Sequence, residues 1–176
     1  MKKLVVLAVF ALASCGPREA ATENNPQPVP MAVAIDGFGA IKIGMTREEA
    51  ERASGVTLQA APADGGSDCQ YARLPEGPTG LTFMLTGGVM ARIDVSDGNI
   101  ATEAGAHIGS SEAEIAQAYG GRVSVTSHKY EAGHHILTVT DPDHPNNRYV
   151  FETDGNSVTR YRSGRLPEVE FVEGCS

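Results

Sequence analysis

IKIGMTREEAERASG, residues 41 to 55, and AHIGSSEAEIAQAYG, residues 106 to 120, are two versions of one pattern. Ile43, Gly44, Thr46, Glu49, Ala50 and Gly55 fall opposite Ile108, Gly109, Ser111, Glu114, Ile115 and Gly120 at a constant offset of 65. A fixed internal period identifies a repeated structural unit and is read before any fold is assigned. Thr46 with Glu49, and Ser111 with Glu114, each have capping-box spacing, in which hydroxyl and carboxylate satisfy backbone N–H groups at a helix start. Each copy closes on a glycine suited to the left-handed turn that stops a helix. Two short helices are expected, about 46–54 and 111–119.

Beyond each helix the period changes to two. GLTFMLTGGVMARIDV (80–95) carries β-rich runs on either side of Gly87-Gly88, and RYVFETDGNSVTRY (148–161) does so around Asp154-Gly155. Both are hairpin signals. Phe83 matches Phe151, and Arg92 matches Arg160, at an offset of 68. A third hairpin over about 122–140 is expected to turn near Ala132-Gly133. The fold class expected is α+β: two helix-plus-antiparallel-meander repeats, 35–100 and 101–176, sharing one sheet. A helix layer on one face leaves the opposite face bare unless something covers it. Tyr71, Tyr130, Tyr149 and Tyr161, with Phe151, are the side chains from which a docking surface on such a face would be built. Ordinary strand packing is the alternative for each.

The N-terminus has a different character. Met1 to Lys3 form a positive n-region, Leu4 to Leu12 an apolar run of nine residues, and Ala13-Ser14 a small-residue cleavage context. That is the layout of a secretory signal. The run is short of the roughly 18 apolar residues needed to span a membrane. Cys15 directly after Leu12-Ala13-Ser14 resembles the lipobox of bacterial lipoproteins. The resemblance implies cleavage after residue 14 and acylation of Cys15, which anchors the protein to a membrane. With Gly16 rather than Asp next, it implies an outer-membrane lipoprotein facing the periplasm. Residues 15–34, GPREAATENNPQPVPMAVA after the cysteine, are rich in Pro, Ala and Asn without apolar periodicity and read as a flexible tether.

With Cys15 lipidated, Cys69 and Cys175 remain of the three cysteines. In an oxidising compartment they are expected to pair as a disulfide. Removing residues 1–14 takes two lysines away, so twelve basic residues face 22 acidic ones, a net charge of −10. Such a surface lacks the basic footprint that a phosphate backbone requires, which excludes nucleic acid as a partner.

The segment Ile41 to Ala50, I-x-I-G-M-T-x-x-x-A, followed by a glycine and a β-meander, resembles the SmpA/OmlA (BamE-like) and β-lactamase-inhibitor-protein-like lipoprotein domains. The likeness runs over roughly residues 36–163, and the tandem copy is similar to the two-unit inhibitors. It implies a non-enzymatic protein-binding module without a cofactor. One branch supports outer-membrane assembly, and the other inhibits secreted hydrolases through its sheet face. An unidentified envelope protein is the partner expected. The alternative is inhibition of a cationic, lysozyme-like hydrolase, which the acidic charge would steer.

Enzymatic readings rest on less. His128, His134, His135 and His144 lie within 17 residues. If the turn falls at Ala132-Gly133, His128 and His135 share a face and form a two-ligand zinc candidate, with hairpin-surface histidines as the alternative. This pair is the whole basis for a metal-dependent hydrolase. DPDHPNN (141–147) opens like a calcium loop, but Pro145 stands at the third ligand position, and a turn between strands is the competing reading. Asp94 with Asp97, and Glu152 with Asp154, are paired carboxylates. No catalytic residue is assigned, since no nucleophile elbow, phosphate loop or dinucleotide fingerprint is present.

Overall fold

A computed structural model describes residues 31–62, 66 and 68–175. The signal, Cys15 and the tether up to residue 30 lie outside the described residues. The C-terminal end of the expected tether is folded: Val33 and Ala34 form β1 (Val33–Ala34), and Val33 is fully buried. β1, β2 (Gly37–Phe38) and β3 (Ile41–Lys42) make a small antiparallel sheet.

The first helix, α1 (Arg47–Ser54), begins at Thr46, whose hydroxyl accepts from Glu49 N–H while the Glu49 carboxylate accepts from Thr46 N–H at 2.8 Å. It stops at Gly55, which holds φ +71° in the left-handed region. α2 (Glu112–Tyr119) begins with the same reciprocal box at Ser111 and Glu114. It ends differently. Gly120 has positive φ but ψ −141°, because the chain continues into a 3-10 turn, Gly120–Arg122, before the next strand. Replacing Ser111 with alanine removes the acceptor for the Glu114 N–H and is expected to cost about 1 kcal/mol in denaturant unfolding. An unchanged midpoint would mean that tertiary packing alone sets this helix start.

The main sheet contains β4 (Gln59–Ala61), β5 (Cys69–Arg73), β6 (Leu81–Thr86), β7 (Val89–Val95), β8 (Val123–Ser127), β9 (His135–Thr140), β10 (Asn147–Thr153) and β11 (Val158–Arg165). It is antiparallel throughout, in the order β4-β5-β6-β7-β11-β10-β9-β8. The fold is therefore α+β. The hairpins at Gly87-Gly88 and Asp154-Gly155 stand where the turn residues put them. β6 and β10 each carry a register shift, between Met84 and Leu85 and between Glu152 and Thr153. The third hairpin is wider than expected: residues 128–134 form its loop, and Ser127 pairs with His135.

Alternation divides the sheet into two faces. One row, Leu81, Val95, Tyr161, Phe151, Leu137 and Val125, crosses it on the face covered by both helices and the small sheet. Ala50, Ile115, Tyr119, Phe38 and Ile41 pack onto that row and build the hydrophobic core. Strands β5, β6, β7, β9, β10 and β11 send their inward-facing residues into this core, the source of most of the fold's stabilisation, while the edge strands β4 and β8 are largely exposed and only Val123 of β8 packs against it. The opposite face is polar, and its row reads Thr82, Asp94, Arg162, Val150, Thr138 and Ser124.

Candidate functional site: a strapped polar sheet face

Residues 166–175 return across this second face as a strap. It contains a 3-10 turn, Glu168–Glu170, and ends in a disulfide between Cys69 and Cys175 that closes a separation of 106 residues. Gly174 takes φ +68° where a side chain would collide with the Tyr71 hydroxyl, so glycine lets the strap lie against the sheet.

Beneath the strap lie charges. Arg162 Nη1 bonds the Glu152 carboxylate, Arg160 Nε bonds its second oxygen, and Arg162 Nε donates to the Val169 carbonyl at 2.6 Å. Arg92 Nη1 donates to the carbonyls of Glu168 at 3.0 Å and Phe171 at 2.7 Å. Arg92 Nη2 meets Asp94 at 2.8 Å and donates to the Tyr71 hydroxyl at 3.1 Å. Glu168 holds the start of the strap through Arg165 and the Thr86 hydroxyl. Arg92, Arg162 and Glu152 are all buried. Such charges are tolerated only because each has a hydrogen-bonded partner.

Burial pushes the Glu152 carboxyl up, but the hydrogen bond and positive charge of Arg162, backed by Arg160, outweigh it and hold the group below its ordinary value. Glu168 is likewise held low, burial being outweighed by Arg165 and Thr86. A carboxyl depressed in the folded state contributes stability above its unfolded pKa and loses it as pH falls through the folded value. Unfolding free energy is therefore expected to be level from pH 7 to about pH 5 and to fall below that. Glu152→Gln should start from lower stability at neutral pH and show a shallower acid limb in urea titrations. An equally steep limb would place the acid sensitivity elsewhere.

The four tyrosines separate. Tyr149 and Tyr161 are buried on the core face, and the docking role expected for them is corrected. Their register puts them with Phe151 beneath α2, and their hydroxyls donate to the Val33 carbonyl at 2.9 Å and the Ile100 carbonyl at 3.0 Å. Burial raises both hydroxyls above their usual pKa, and pushes the neighbouring Tyr119 up to about 12. Tyr71 is half-buried on the strapped face, raised by burial and by Asp94 against the opposing Arg92, and its hydroxyl also interacts with the Cys175 backbone. Tyr130 is exposed on the 128–134 loop, where its hydroxyl bonds Glu173 of the strap, as does Lys129 at 3.3 Å.

The zinc pair is also corrected. His128 is buried on the strapped face, its Nδ1 accepting from the Tyr130 and Glu131 N–H groups at 3.3 and 3.2 Å. That places its proton on Nε2, which lies 3.7 Å from Glu152 and finds no hydrogen-bond partner among the described residues. His135 is on the helix face and meets Glu112 at 2.8 Å. The wide loop shifts His128 out of the strand, so the sheet separates the two rings. DPDHPNN forms a turn in which the Asp141 carboxylate accepts from Asp143 N–H at 3.0 Å and the His144 N–H reaches the Asp141 carbonyl.

Beside the strap the second face stays open as a groove of about 360 Å³, floored by Ile136, Thr138 and Arg162 and walled by Thr126 and Val172. Its far wall is β8, an edge strand exposed along most of its length, with Val125 56% exposed. What sequence reasoning missed was the buried partnership of Arg92, Arg162 and Glu152 under the strap. The charged residues at alternate positions of β7, β10 and β11 signal a polar second face, but not its cover.

No family model matches the chain, and no curated protein matches it. Among solved structures, the crystal structure of the uncharacterized protein yfeY from Escherichia coli is similar at 15% sequence identity and a TM-score of 0.47, covering 76% of this chain and 99% of that one.

Proposed function

We propose that the chain is a lipid-anchored envelope protein that docks a partner protein on the open part of its polar sheet face. The observation carrying this reading is the groove beside the strap, whose floor runs from Arg162 across β10 and β9 to the exposed edge strand β8. An unpaired edge offers main-chain donors and acceptors to an extended segment, and the groove side chains supply selectivity. Cys15, through the lipobox resemblance, supplies the anchor, and the following tether supplies reach. The yfeY likeness contributes nothing to it.

The tandem-repeat reading is part of the same proposal. In its support, Gly44 N–H donates to Met90 O and Met90 N–H to Met45 O, while Gly109 N–H donates to Val158 O and Val158 N–H to Ser110 O. These pairs keep the offsets of 65 and 68 seen in the sequence, and the two register shifts keep the offset of 68. A two-unit domain of this kind is what the resemblance to the inhibitor and assembly lipoproteins implies. The mature charge of −10 favours a second reading, inhibition of a cationic hydrolase. A purified domain that leaves lysozyme activity unchanged at low salt removes it.

The docking reading is tested with a photo-crosslinking residue at Thr126, on the groove wall, and separately at Arg52, exposed on α1, in lipidated protein in intact cells. One dominant envelope protein attached at Thr126, weakened by Cys15→Ala and missing at Arg52, is the expected result. Adducts from Arg52 but not Thr126 overturn it by moving the docking surface to the helix side.

A further inference from the structure

We propose that the C-terminal strap, Leu166 to Cys175, is a redox-released latch. A dithiol reductant that opens the Cys69–Cys175 disulfide frees it from the sheet and extends the open groove across the charged row beneath. The use of the newly exposed face rests on the docking reading above. The release itself does not.

Three observations converge. The grip on the strap is on its main chain: Arg92 holds the Glu168 and Phe171 carbonyls and Arg162 holds the Val169 carbonyl. Those carbonyls belong to the 3-10 turn and the residue after it, so lifting the strap frees the Arg92 and Arg162 guanidinium groups as donors for main-chain carbonyls of a partner segment. Second, the surface it covers is rich in charge. Arg92, Asp94, Arg162, Glu152 and His128 regain hydration when the cover lifts, which offsets part of the loss of apolar burial. Val169 of the strap is fully buried, as are Met84 and Val150 on this face of the sheet, but Phe171 is 42% exposed and gives little. Third, the ends are held differently. The near end is tied by buried Glu168 to Arg165 and Thr86, and Leu166 N–H donates to Asn146 O, whereas the far end is held by the disulfide, by the Tyr71 hydroxyl at the Cys175 backbone, and by surface contacts that include Lys129 and Tyr130 reaching Glu173. Surface ion pairs contribute little, so the covalent bond is the clasp and the Glu168 end is the hinge.

The chemistry balances as a thiol–disulfide exchange. A thiolate of the dithiol attacks one sulfur of the pair, the Cys69–Cys175 bond breaks and a mixed disulfide forms. The reductant's second thiol then displaces it. Two electrons and two protons pass to Cys69 and Cys175, which end as thiols, and the dithiol ends as a disulfide. While the bond is intact, the strap's high effective concentration keeps the face closed against a partner segment.

The test is amide hydrogen exchange read by mass spectrometry on the full chain, oxidised and in dithiothreitol, with the thiol count confirmed. Exchange over 168–175 should rise at least tenfold on reduction while β7 and β11 keep their protection, and the Cys69→Ala/Cys175→Ala variant without reductant should reproduce the reduced pattern. Unchanged strap protection after complete reduction overturns the proposal by making the strap a fixed cover. Exchange rising equally through β7 and β11 overturns it too, since the disulfide would then be holding the whole domain. A latch that opens while Thr126 captures no partner sinks the docking reading and leaves the release standing.

Discussion

Arg162→Ala lowers the unfolding free energy by about 3–5 kcal/mol, the cost of removing one member of a buried ion pair. The size follows from what is left behind. Glu152 keeps its charge in a site closed to water, with Arg160, half exposed, as its remaining guanidinium, and the Val169 carbonyl loses its donor. Arg160→Ala, which removes the solvent-facing partner of the same carboxylate, should cost under about 1 kcal/mol. Denaturant unfolding of both variants decides the point. Equal costs would mean that burial does not distinguish the two arginines. A paired Arg162→Met, Glu152→Leu variant should recover most of the loss, because apolar replacement of a whole buried pair is often neutral or stabilising.

Phe151→Ala is expected to cost about 3–5 kcal/mol, the range for emptying a buried aromatic site. Phe151 is fully buried, and its ring centre lies 5.9 Å from Tyr119, 6.1 Å from Tyr149 and 5.5 Å from Tyr161. A cavity there loosens rings whose hydroxyls tie down the Val33 and Ile100 carbonyls, so the small sheet should lose hydrogen-exchange protection as well. Val125→Ala, in the same row but at the exposed edge, should stay within about 0.5 kcal/mol. If Phe151→Ala unfolds no more easily than Val125→Ala, the aromatic cluster is not the centre of the core.

Local structure was legible where a short stretch carries its own cause. Thr46 with Glu49 and Ser111 with Glu114 start helices because a hydroxyl and a carboxylate three residues apart satisfy N–H groups that any helix start leaves open. Gly87 and Gly88 turn the chain because both hold positive φ, which other residues resist; at Asp154-Gly155 only the glycine does so, while the Asp154 carboxylate accepts from the Asn156 and Ser157 N–H groups. Where the signal was weak the reading slipped. Ala132-Gly133 suggested a tight turn, but His128 caps the loop with its ring nitrogen and is held under the sheet beside Glu152, so seven residues are drawn out of the hairpin.

The candidate site was legible only in part. Alternation told that Tyr149 and Phe151 share a face and that Val150 and Glu152 share the other, yet not which face the helices would cover. Four tyrosines spaced along the chain therefore looked equivalent, and two of them proved to be core. By itself the sequence determined the helix starts, the hairpin turns, the strand periodicity and the pairing of Cys69 with Cys175, because each is an interaction among near neighbours or a matter of residue chemistry. Only the tertiary structure decided that residues 166–175 cross back over the sheet and bury Arg92, Arg162 and Glu152 together. Those groups come from strands joined through the centre of the sheet and from a strap more than 70 residues from Arg92, and burial of a charge depends on what the rest of the chain places above it, which no local pattern encodes.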